Sequence, residues 1–192
     1  MTPAMVLIMG VSASGKTTLG RALAERFACR FVDADDLHPP ANREKMARGE
    51  PLDDHDRRPW LDAIRGEIDA ALHRSGEGVE LVITCSALRR RYRERLRRPA
   101  EPILLVHLHA DRETLRQRLA SRADHFFPLS LLDSQLDTLE PPEEEEAAFP
   151  LDAAAPLTEL IAAVERETDR RFAVRSTEVS KASHENPRLG EE

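Results

Sequence analysis

A chain of 192 residues with 41% hydrophobic and 33% charged residues is long enough for one domain with a sizeable core. Its net charge of −7 excludes a broad nucleic-acid-binding surface. The two cysteines, Cys29 and Cys85, lie far apart without metal-ligand spacing, so reduced thiols in a cytoplasmic protein are expected rather than a disulfide framework. No apolar run approaches the ~20 residues of a membrane helix. The apolar stretch 5–9 lacks a basic flank and runs into a glycine loop, unlike a secretory leader. Neither membrane nor nucleic acid is an expected partner.

Short apolar runs alternate with longer helical patterns, the signature of a parallel sheet wrapped by helices. The first strand is MVLIM (5–9). The helix after it, TTLGRALAERF, places Leu19, Leu23 and Phe27 four apart on one face. RFVDA (30–34) is the second strand, RRPWLDAIRGEIDAALHR a helix, and ELVIT (80–84) and ILLVHL (103–108) buried strands of continuous apolar type. DRETLRQRLASR reads as a helix and AFPLDA (148–153) as a weaker fifth strand. A last helix starts at Pro156 and carries Leu157, Leu160, Ile161 and Val164 on one stripe. The predicted domain spans 1–172, and the polar, aperiodic 173–192 is expected to be a disordered tail.

Some conspicuous segments are expected to be structural. Glu143 to Glu146 read as a solvated loop. ALRRRYRERLRRP is strongly basic but offers only Tyr92 for stacking on a base. Trp60, beside Pro59, reads as a packing anchor. His107 and His109 share a strand face, and a metal site would need more ligands.

The strongest motif is Gly10-Val-Ser-Ala-Ser-Gly-Lys16-Thr17, which satisfies G-x-x-x-x-G-K-[ST] between a strand and a helix. Glycines let the backbone curl so that successive N–H groups face phosphate oxygens, and the helix N-terminus adds partial positive charge. Phosphate ligands are expected from Gly10, Ser12, Ala13, Ser14, Gly15, Lys16, Thr17 and Thr18, with Lys16 on the β- and γ-phosphates and the Thr17 hydroxyl on magnesium. The asparagines, Asn42 and Asn186, begin no N-K-x-D segment, so ATP is favoured over GTP. The expected fold is a three-layer α/β P-loop NTPase of the nucleoside-monophosphate-kinase-like type, with a mostly parallel five-stranded sheet.

The second strand ends in Asp33-Ala-Asp35, at the carboxyl edge of the sheet where such folds bind ligand. Residues i and i+2 of an extended segment share a face, so both carboxylates can address one site. One could accept the proton of an acceptor hydroxyl and the other could help to hold magnesium through water.

DADDLHPPANREKM (33–46), GEPLDDHDRRPWL (49–61), CSALRRRYR (from Cys85), RLASRADHF and LLDSQLDTLE join the phosphate loop in a pattern that resembles the gluconokinases of the shikimate-kinase-like group. The resemblance covers roughly residues 5 to 170, with two departures: Ala13 and Ala34 stand where the pattern has glycine. It implies ATP- and magnesium-dependent phosphorylation of D-gluconate to 6-phosphogluconate, with ATP and gluconate as partners, and a homodimer. In that reading Asp35 orients the attacking hydroxyl and Asp33 sits near the magnesium with Thr17. Arg57 forks the substrate carboxylate, and His38, Asn42 and Lys45 read its hydroxyls. Arg118 and Arg122 belong to a lid near 118–136 that closes on the transferring phosphoryl, the segment that also holds His125. A methyl at Ala34 would narrow the acceptor site if substrate approaches that backbone. Another sugar acid or shikimate as acceptor, or a silent ATP-binding switch, are the alternatives.

Overall fold

The computed structural model describes residues 4–74, 78–121 and 129–182, the last ten of these as backbone alone. Five strands, β1 Ala4–Met9, β2 Arg30–Asp33, β3 Val79–Thr84, β4 Ile103–His109 and β5 Phe149–Asp152, form one sheet. Every pairing is parallel, in the order β2-β3-β1-β4-β5. All five match the apolar runs expected from sequence. The helices are α1 Lys16–Phe27, α2 Pro40–Ala47, α3 Asp54–Leu72, α4 Arg90–Leu96, α5 Arg112–Ala120, α6 Leu129–Thr138 and α7 Leu157–Ala182.

Alternation along β1 shows why the sheet is covered on both sides. Met5, Leu7 and Met9 enter one buried cluster with Trp60, Ile64 and Ile68 of α3. Val6 and Ile8 enter another with Leu19 and Leu23 of α1 and Leu160 and Val164 of α7. All six β1 side chains are essentially inaccessible, which is why the strand reads as an unbroken apolar run. β1 is flanked by β3 and β4, so the chain winds away from it in both directions. The crevice at its carboxyl end is the switch point where open α/β sheets bind ligands.

Two sequence expectations change. The glutamate run is not simply solvated, because a turn at Glu144–Glu146 sends Glu146 inward onto Arg93 of α4. The pair is bidentate, at 2.5 and 2.7 Å, with Arg93 2% and Glu146 8% exposed. The second Arg93 arm donates to the carbonyls of Ala87, Leu88 and Glu140. Burial works against the Glu146 charge, but the Arg93 guanidinium outweighs it and holds the carboxyl below its ordinary range. Other arginines of the basic segment also meet acid, at the surface: Arg91 with Asp54, Arg95 with Asp62, and Arg90 with Glu94 and Glu143.

The second change is at the C-terminus. α7 continues to Ala182, through residues expected to lie in an aperiodic tail. The stretch 173–182 has weak periodicity but no proline or glycine, so nothing local terminates the helix. Phe172 packs beside the α1–α7 cluster, and Arg171 donates to the Ala147 carbonyl.

Candidate active site

The loop between β1 and α1 curls tightly for steric reasons. Gly10 has φ +146, and a Cβ there would stand 2.3 Å from the Leu108 carbonyl oxygen, so no side chain fits. Gly15, at φ +98, caps α1, and no side chain caps the helix in its place. The first-turn amides therefore have neither an intrahelical carbonyl nor a side-chain cap, the arrangement that receives an anion. Lys16 folds back so that Nζ donates to the Val11 carbonyl at 2.9 Å. Thr18 is exposed, whereas Ser14 is buried.

Ala13, one of the departures from glycine, has φ +64. That left-handed conformation explains why glycine suits the position. Its methyl is buried in a third cluster with Val11, Leu88, Leu115, Leu119 and Leu132. The other departure has no such strain. Ala34 is fully buried in the main core and its carbonyl accepts the Trp60 indole N–H at 2.6 Å. Its methyl packs within that core.

The two expected magnesium-side groups touch. Thr17 Oγ1 donates to Asp33 Oδ2 at 2.8 Å, bringing the start of α1 to the end of β2. Asp33 Oδ1 accepts the backbone N–H of Asp35 at 3.2 Å and so caps the turn Ala34–Leu37. That cap sets where Asp35 sits. Asp35 is open to water but flanked by protein, and the loss of surrounding solvent raises its pKa. Lys16 opposes the rise, while Asp33 and Asp36 add to it. Behind it the buried Cys85 thiol is pushed up to about 12, chiefly by burial and partly by the Asp35 charge.

His38 and Asn42 follow on the turn and on α2, and both are buried. The imidazole lies flat on the Trp60 indole, with ring centroids 4.3 Å apart and planes 9° from parallel. Burial, helped by Arg57 and Arg43, lowers its pKa to about 4, so the ring is neutral at pH 7. Asn42 Nδ2 donates to the Asp56 carbonyl at 2.8 Å and lies 3.3 Å from His38 Nδ1. The carbonyl bond assigns that atom as the amide nitrogen. His38 Nδ1 is then an acceptor and the proton resides on Nε2.

Arg57 and Lys45 differ in availability. Arg57 makes no ion pair among the described residues. Its Nε reaches only the Leu52 carbonyl at 3.3 Å, and its guanidinium stands 5.7 Å from the Tyr92 ring centre. Lys45, by contrast, is bidentate on Asp56 at 2.7 and 2.9 Å. In this state it holds α2 against the start of α3.

On the far side of the phosphate loop, Arg118 of α5 donates to the Ser14 carbonyl at 3.3 Å and the Ala153 carbonyl at 2.6 Å. It thus ties α5, the phosphate loop and the segment after β5 together. Arg122 and His125 lie outside the described residues. Sequence reasoning did not single out Gln135, whose Oε1 accepts the Ser12 backbone N–H at 2.7 Å. Nor did it identify Asp56 as the partner of Lys45 or Arg43 as a donor to the His38 carbonyl at 2.8 Å. Gln135 was visible only as one letter of the LLDSQLDTLE pattern.

A family model described as an AAA domain matches residues 5–142. A probable gluconokinase of Xenopus tropicalis is 40% identical over 183 residues, covering 88% of this chain and 95% of that protein. The gluconokinase of Gluconobacter oxydans is 47% identical over 150 residues, covering 76% and 80%. The chain belongs to the gluconokinase family. The crystal structure of a gluconokinase from Sinorhizobium meliloti 1021 superposes with a TM-score of 0.75 at 40% identity, over 95% of this chain and 99% of that one. A shikimate kinase from Aquifex aeolicus superposes at 0.53 with 14% identity, which bears on the fold alone.

Among the described residues no helix is long and apolar enough to cross a membrane. No group of three or more His, Cys, Asp or Glu among them could hold a metal ion by itself.

Proposed function

We propose that the protein transfers the γ-phosphoryl group of ATP to a hydroxyl of D-gluconate, giving 6-phospho-D-gluconate and ADP. The observation that carries this reading is the meeting of two elements at the sheet's carboxyl edge. The Thr17–Asp33 hydrogen bond joins the phosphate loop to the turn that carries Asp35, and the family resemblance supplies the acceptor.

The loop amides that follow Ser12, whose own N–H is taken by Gln135, receive the phosphates together with Lys16. Asp35 orients the acceptor hydroxyl and takes its proton as the new oxygen–phosphorus bond forms and the bond to the ADP oxygen breaks. Its pKa, raised by the loss of surrounding solvent, improves it as a base. Arg57, without a carboxylate partner of its own among the described residues, is free to fork the gluconate carboxylate. Neutral His38 offers Nε2–H to a hydroxyl oxygen, and Asn42 fixes the tautomer that makes this possible. Lys45 acts through Asp56 in this state rather than as a free ammonium.

Thr17 and Asp33 would hold magnesium, which when bound neutralises charge on the β- and γ-phosphate oxygens. Arg118 and Arg122 stabilise the charge on the phosphoryl in transit. The bonds from Arg118 to the Ser14 and Ala153 carbonyls also tie the segment after β5 to the phosphate loop. A cytoplasmic location and a homodimer complete the reading.

The test is ADP release with ATP and magnesium across gluconate, related sugar acids, shikimate and no acceptor. Stimulation by gluconate above the others is expected. Stimulation by a different acid would move the acceptor assignment, and ATP binding without stimulation by any acceptor would favour a nucleotide switch.

A further inference from the structure

Two contacts dock α6 onto the phosphate loop, and a third joins α5 to α6. Gln135 Oε1 takes the Ser12 N–H at 2.7 Å. Leu132 is fully buried beside the Ala13 methyl and Val11. Arg116 of α5 is bidentate on Asp133 of α6 at 2.9 and 3.0 Å, so the two helices present one surface. The loop's other early anchors are weaker: the Gly10 N–H reaches the Ser86 carbonyl and the Ser14 N–H reaches the Val11 carbonyl, each at 3.4 Å. The Gln135 bond is therefore the shortest restraint on a stretch that must hold its amides in one curl to bind phosphate.

We propose that Gln135 is a positioning residue for ATP binding: its side-chain carbonyl, backed by Leu132, holds the Ser12 peptide and so keeps the phosphate loop in its phosphate-receiving form. A backbone N–H inside a folded loop must find an acceptor. Without Gln135 the Ser12 peptide turns toward water, and the amides that follow lose their common direction. The effect falls on ATP and not on the acceptor, because the bond that Gln135 makes is to the nucleotide loop at Ser12 and not to the Asp35 turn. Ala13 adds to the same device, since its methyl joins the α5–α6 cluster where glycine would leave the contact empty. The inference rests on the loop being the ATP site and is independent of the acceptor's identity.

The test uses the full chain and ATP with magnesium, in the absence of acceptor. Gln135→Leu keeps the size and removes the acceptor atom. Gln135→Asn keeps the amide but cannot span the distance. Both variants are expected to bind ATP roughly tenfold more weakly, the worth of one hydrogen bond, with a melting temperature lowered by at most a few degrees and an unchanged KM for acceptor. Hydrogen exchange at the Ser12 amide should be slow in the wild type and faster in both variants. Wild-type ATP affinity in either variant, or an unprotected Ser12 amide in the wild type, would overturn the proposal. So would a loss that appears equally in acceptor KM and melting temperature. Failure of gluconate to stimulate turnover in the wild type strikes the acceptor assignment alone and leaves these measurements intact.

Discussion

His38 lies on Trp60 with ring centroids 4.3 Å apart, and Trp60 in turn donates its indole N–H to the Ala34 carbonyl. The stack joins α3 to the turn that carries Asp35. Trp60 is also the chain's single tryptophan, so its emission reports on this corner directly. Gluconate is expected to change that emission, because the ligand desolvates the ring stacked on it. ATP alone should leave the emission nearly constant. A change driven by ATP and not by gluconate would place the acceptor elsewhere.

The same histidine gives stability a pH dependence with a definite sign. Its pKa is about 4 in the folded protein and 6.5 in the unfolded chain, so the unfolded chain binds its proton more tightly. Stability is complete above pH 6.5 and declines as pH falls toward 4. His38 contributes a loss on the order of 3 kcal/mol across that window. His107 is lowered to about 4 in the same way, by burial and by His109, and adds to the effect. Urea unfolding at pH 7 and 4.5 measures it, and His38→Gln should flatten the difference. An equal loss in that variant would assign the dependence to other groups.

The Arg93–Glu146 pair supports a test of the fold. Removing one member leaves a buried charge without its partner, which costs about 3–5 kcal/mol. Arg93→Ala should unfold at clearly lower denaturant, and the loss should exceed that of Arg95→Ala, whose pair with Asp62 is half-exposed and worth at most ~1 kcal/mol. Similar losses for the two would show that the buried pair is not a special anchor.

Ala13→Gly sets two effects of similar size against each other. Relieving the left-handed φ of +64 gains about 1 kcal/mol. Losing the buried methyl costs roughly 0.8 kcal/mol. Thermal unfolding should therefore shift by no more than a few degrees. A large drop would show that the methyl matters more to the α5–α6 cluster than its size suggests.

Arg57→Lys separates a guanidinium fork from a positive charge. Lysine keeps the charge but cannot present two parallel N–H groups to a carboxylate. KM for gluconate should rise about tenfold or more, with KM for ATP unchanged. An unchanged gluconate KM would release Arg57 from its assigned role.

The strands were legible because buried parallel strands announce themselves as apolar runs, as β1 and β4 do. The phosphate loop was legible because its geometry is local, and the approach of Asp33 to Thr17 followed from where β2 must end. Contacts between distant segments were not. Gln135 meets Ser12 across 123 positions, and Arg93 meets Glu146 across 53. No local pattern marks such a partner, so a glutamate run with a buried member reads as solvent-facing. Lys45 looked like a substrate ligand for the same reason, since nothing in its own neighbourhood reveals Asp56. The α7 boundary was missed because weak periodicity without a breaker resembles a tail.

Asp35 provides the most direct test of the whole account. Folding raises its pKa, so the folded protein holds the proton more tightly than the unfolded chain does. Ionisation therefore costs stability, with no cost below the unfolded carboxylate's pKa and the full cost above the folded one. Asp35→Asn should accordingly be at least as stable as the wild type at pH 7 and bind ATP normally. Its gluconate-dependent turnover, measured beside ATP affinity on the same preparation, should fall by orders of magnitude, as expected when the group that takes the acceptor proton is removed. Near-normal turnover, or a loss of ATP binding in its place, would contradict the assignment of the β2 edge to the acceptor.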